Sequence, residues 1–194
     1  MIINMIQFSS TWPCCFEDDN AVIRHEFGHA LVWLTCGYEV HSLRFVRGNR
    51  LLTATTRYTE SNCQTEAELL LTMPDILTER LLAGEIASRI YCELPLNIIC
   101  SSLSVNPHSD LTSLLQGQLP SNYDDVKAFE IARQTAGRNW YHWLAERHKN
   151  ALNTITNYWD ALDNASDVLY GDIPVGANDS FSIDGGQIRR LLGL

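Results

Sequence analysis

Residues Ala21 to Cys36 constrain this chain most, because they have helical length and their second half, Ala30 to Leu34, is apolar on every side. A helix that is hydrophobic all round offers no face to water, so it must run through the core with other elements packed about it. Asp18, Asp19 or Asn20 can supply an N-cap, and Gly37 just past Cys36 is a stop signal. Inside this helix stand His25-Glu26-Phe27-Gly28-His29. Positions i and i+4 lie one turn apart on the same face, so the two imidazoles converge and can grip one Zn2+ ion, with Glu26 beside the first ligand. Zinc lowers the pKa of a bound water to about 7, and a neighbouring carboxylate can then take its proton. His25 and His29 are therefore candidate zinc ligands and Glu26 a candidate general base for peptide hydrolysis. The competing reading is a pair of solvated or hydrogen-bonded helix histidines beside a surface carboxylate.

The remaining pattern predicts a mainly α fold, zincin-like, with a small antiparallel β-hairpin, spanning residues 21–194 behind an N-terminal arm, 1–20. Glu39 to Val46 and Leu51 to Tyr58 are rich in β-formers on either side of Arg47-Gly48-Asn49-Arg50, a hairpin with one strand left as an edge. After a polar stretch, Pro74 opens a second core helix with Ile76, Leu77, Leu81, Leu82, Ile86, Ala87 and Ile90 at helical spacing. Gly84 within it costs about 1 kcal/mol relative to Ala, which implies close packing against a neighbour. A connector, Asn97 to Pro107, leads to a short helix at Ser109-Asp110-Leu111. Two long helices follow, Tyr123 to Lys149 and Asn150 to Tyr170, with Phe129, Ala132, Ala136, Trp140 and Trp143 on one face of a bundle. Gly171 to Ser180 reads as a loop, and a last helix starts at Ser182 or Asp184 and ends at Leu192.

The 194 residues allow one sizeable core. With 14 Lys plus Arg against 23 Asp plus Glu, the net charge of -9 leaves no basic stripe, so nucleic acid is not an expected partner. Apolar runs fall short of the roughly 18 residues of a membrane span, and Met1 to Cys15 lacks the n- and h-regions of a secretory signal. No membrane insertion is expected, and the expected location is the reducing cytoplasm. The six cysteines show no C-x-x-C spacing; Cys36 and Cys92 read as small core hydrophobes, and Cys14 and Cys15 carry no assigned role.

Catalytic zinc takes three protein ligands and leaves a fourth position open. The metzincin extension would need Gly and His where this chain has Val32 and Thr35, so that class is excluded. Glu79 and Glu85 on the second core helix, and Asp110, are the candidate third ligands. The competing reading of Asp110 is a helix cap, and His108 is a supporting residue, an alternative ligand or simply an exposed side chain. His41, His142 and His148 have no partner spacing and read as structural or surface residues.

The motif His25 to Leu31, the hairpin, Leu82-Ala83-Gly84-Glu85-Ile86-Ala87, Ser109-Asp110-Leu111 and the tail Phe181 to Ile188 come in the order found in the peptidase domain of FtsH-type proteases, which the chain resembles from about Ala21 onward. The resemblance implies Asp110 as third ligand and Glu26 as catalytic carboxylate. It implies peptides or unfolded polypeptides as substrates, with a homo-oligomer or a separate ATPase as candidate partners, since the family's ATPase module and membrane helices are not within these residues. Phe27 stands where that family has a small residue, and Ser88 where it commonly has Glu. A non-proteolytic zinc-containing binding or regulatory protein on the same fold is the alternative expectation.

Overall fold

The computed structural model describes residues 18–48, 52–58, 66–93, 124–173, 175–176 and 178–194. The N-terminal arm through residue 17, Asn97 to Pro107, His108 and Asp110 lie outside them.

Helix α1, Asp19–Thr35, is capped by Asp18, whose carboxylate accepts the Asn20 N–H at 2.8 Å. Every residue from Ala21 to Leu34 is buried, polar ones included, as expected of a helix enclosed on all sides. Strands β1, Val40–Arg47, and β2, Leu52–Tyr58, pair antiparallel. Val40, Leu43 and Phe45 of β1 are buried while His41 and Arg44 face outward. A short helix α2, Glu66–Thr72, occupies part of the stretch expected to be merely polar. Pro74 then opens α3, Pro74–Tyr91, which presents Leu77, Leu81, Leu82, Ile86 and Ala87 to the core.

The C-terminal half is a bundle of α4, Asp124–Ala136, α5, Trp140–Asn157, and α6, Trp159–Tyr170. Where the periodicity predicted two helices, there are three. Gly137 takes φ 53° and begins a single 3-10 turn, Gly137–Asn139, after which the chain sets off again as α5. Trp140 is buried against Phe129, ring edge to face at 4.9 Å, so the predicted aromatic stripe survives the break.

The tail corrects a second expectation. Ser180–Asp184 is a strand, β3, where a loop ending at Ser180 and a helix start at Ser182 or Asp184 were expected; it pairs antiparallel with β1, Ile183 opposite Leu43 and Phe181 opposite Phe45. The sheet order is β2-β1-β3, which leaves β2 as an edge among the described residues. Ser182 therefore starts no helix, and its hydroxyl donates to the Leu43 carbonyl. Asp184 is the cap of α7, Gly185–Leu192, in a reciprocal capping box with Gln187. The cysteine expectation also fails, since Cys36 is exposed at the C-cap of α1 and Cys92 only half-buried. No helix among the described residues is long and apolar enough to cross a membrane. The fold is mainly α with a small three-stranded antiparallel sheet.

Helices α1 and α3 pack closely because two glycines permit it. A Cβ on Gly28 would lie 2.6 Å from the Ala83 carbonyl oxygen, and one on Gly84 would lie 2.8 Å from both ring nitrogens of His29. The neighbour that Gly84 makes room for is thus a candidate ligand itself. Phe27, between the histidines in sequence, is fully buried in the core.

Candidate metal centre

The i, i+4 spacing brings the His25 and His29 rings to 4.4 Å between centroids, almost perpendicular at 82°. Both Nε2 atoms point at one oxygen, Asp124 Oδ2, at 3.0 Å from His25 and 2.9 Å from His29. Asp124 is the first residue of α4, and its helix end carries the carboxylate across to α1. The donor atoms of His25, His29 and Asp124 lie within 4.8 Å of one another.

Behind His29, Nδ1 stands 2.8 Å from the backbone carbonyl of Arg80 on α3. A carbonyl only accepts, so Nδ1 donates and carries the hydrogen. An uncharged His29 ring would present a bare Nε2 lone pair to a carboxylate oxygen at hydrogen-bond distance. Two acceptors facing each other need a proton or a metal ion between them, and the other imidazole converges on the same oxygen. Two His and one carboxylate are donors suited to Zn2+, and the same set also serves non-haem iron.

Electrostatics agree with the geometry. Burial pulls the His25 imidazole down, but its hydrogen bond to Asp124 and the negative charges of Glu85, Asp124 and Glu26 outweigh this and raise it from 6.5 to about 9. Burial pushes the Asp124 carboxyl up, yet the two imidazoles hold it well below the usual carboxylate range.

Glu26 is 8% exposed, and its Oε2 accepts from the Thr56 hydroxyl of β2. The candidate base is thereby tied to the edge strand. Of the third-ligand candidates, Glu79 points elsewhere, held by Asn150 at 2.8 Å and Arg147 at 3.4 Å. Glu85 lies 4.0 Å from His25 Nδ1, behind the ring and away from Asp124. The carboxylate that completes the cluster among the described residues is Asp124, which the reading of the sequence passed over. Its only local signal is an acid pair, Asp124-Asp125, opening a helix, and first-turn acids are what any helix dipole favours. His41 and His142 are exposed and His148 is buried in α5, and none of them belongs to the cluster. No protein-family model matches the chain, and no curated protein matches its sequence.

Proposed function

We propose that the protein is a zinc-dependent metallopeptidase acting on peptides or unfolded polypeptides, with His25, His29 and Asp124 holding the ion and Glu26 as general base. The observation that carries this reading is the convergence of two Nε2 atoms on one carboxylate oxygen, 3.0 and 2.9 Å away, with His29 locked by the Arg80 carbonyl. The resemblance to FtsH-type peptidase domains supports the same chemistry through the His25-Glu26-Phe27-Gly28-His29 motif. Zinc, when bound, supplies Lewis acidity that acidifies water and polarises a carbonyl. Thr56 fixes one oxygen of Glu26, which leaves the other to take a proton from the attacking water and return it to the leaving amine. An extended substrate pairing with the edge strand β2 passes the residue that holds the base, and backbone pairing gives affinity with little sequence preference.

The burial of Glu26 favours one competing reading, a zinc-containing binding or regulatory protein that cleaves nothing. Metal analysis for zinc and iron, paired with a quenched-peptide assay, separates the two. Near one zinc per chain, lost in Asp124→Ala, with cleavage falling about 10²–10⁴-fold in zinc-loaded Glu26→Gln, is the expected result. Bound zinc without cleavage in the wild type selects the binding protein; no zinc after zinc is supplied rejects both.

A further inference from the structure

Each imidazole of the cluster turns one nitrogen toward Asp124 and the other toward α3. For His29 the second contact is the Arg80 carbonyl. For His25 it is Glu85, whose Oε1 stands 4.0 Å from Nδ1. Glu85 is 2% exposed, and so deeply buried a carboxylate is costly unless a cation accompanies it. Arg89, one turn further along α3, provides that cation, with Nη2 3.8 Å from Glu85 Oε2 and both side chains 3% exposed. The Ser88 hydroxyl donates to the Glu85 backbone carbonyl at 3.1 Å and does not compete for the carboxylate.

We propose that Glu85 is the positioning residue of His25, and this rests on the metal-site reading above. Its charge, held in place by Arg89, keeps the ring hydrogen on Nδ1 and so turns the Nε2 lone pair toward the ion shared with His29 and Asp124. The 4.0 Å separation is longer than a hydrogen bond, so Glu85 acts through its charge. A carboxylate behind a ligating imidazole orients it and makes it more basic toward a metal. The two ligands are then supported differently, a neutral dipole behind His29 and a full charge behind His25, and loss of that charge acts on His25 alone.

Ring nitrogen NMR of the zinc-loaded wild type, with zinc affinity measured by competition against a chromophoric chelator, tests the assignment. The expected results are a His25 ring protonated at Nδ1 and, in folded Glu85→Gln, zinc affinity weaker by about 10–100-fold with the His29 signals unmoved. Glu85→Gln removes a carboxylate from beside the buried Arg89 charge, so the double variant Glu85→Gln with Arg89→Met is measured alongside and should show the same loss. His25 bound through Nδ1, or affinity within twofold of wild type in either folded variant, overturns the role of Glu85 while leaving the metal site intact. Should neither variant fold, the wild-type tautomer decides. A wild type that takes up no zinc overturns both the site and this role.

Discussion

Gly84 sets the position of a candidate ligand by having no side chain. A Cβ there would sit 2.8 Å from both nitrogens of the His29 ring, so a side chain at this position disturbs the ring that meets Asp124 and the Arg80 carbonyl. Gly84→Ala is expected to weaken zinc binding at least about tenfold, as loss of a supporting contact does, and to cost about 1–3 kcal/mol in a urea melt. Gly28→Ala presses on backbone rather than on a ring, so the stability loss is expected to be the larger effect there. Titration gives a second prediction at this scale. His25 is raised from 6.5 to about 9, so in metal-free protein its contribution to stability is fully present below about pH 6.5 and is lost as pH rises through about 9. Zinc needs that nitrogen bare. Its affinity should therefore climb by about tenfold per pH unit in the same window, with about one proton released per ion near pH 7.5. Calorimetry in buffers of different ionisation enthalpy counts the protons, and a count of zero would refute the arrangement of His25 against Asp124.

At the scale of elements, α1 is anchored to the bundle by Arg24. Its guanidinium meets Asp163 at 2.6 Å and Asp167 at 2.7 Å, both on α6, and stacks 4.2 Å above the Tyr91 ring of α3. Arg47 reaches from the end of β1 to Asp19 at the start of α1, tying the sheet to the same helix. Arg24 is 2% exposed whereas its carboxylates are partly in water, so the network is worth less than a fully buried one. Arg24→Met is expected to destabilise by about 1–3 kcal/mol, seen as a lower urea midpoint with an unchanged slope. An unchanged midpoint would mean that apolar packing alone holds α1 to α6. Element boundaries were legible where punctuation is local: Asp18 before α1, Pro74 in α3, Asp184 before α7. They were misread at Gly137 and at Ser180–Asp184, because a break and a strand depend on what the chain packs against.

For the whole molecule, a metal joining α1 to α4 favours the folded state, since only folding brings Asp124 to the two histidines. Free zinc at 100 times its Kd should add about 2.7 kcal/mol, a rise in Tm of about 5–10 °C for a chain of this size, which a chelator reverses. A Tm indifferent to zinc and chelator would argue against the site. By itself the sequence determined the candidate ligand pair, the carboxylate between them, the enclosed helix and the hairpin, because helical spacing and strand alternation are properties of neighbouring residues. Tertiary structure alone decided the rest. Asp124 lies 99 residues from His25, and nothing at its own position distinguishes a ligand from an ordinary first-turn acid until α4 is packed against α1. The third strand is of the same kind: Phe181 and Ile183 alternate with polar residues too briefly to declare a strand, and only the hydrogen-bonding edge of β1, far away in sequence, makes them one. Short-range periodicity is written into the chain, whereas the meeting of distant groups is set by the packing of the elements that carry them.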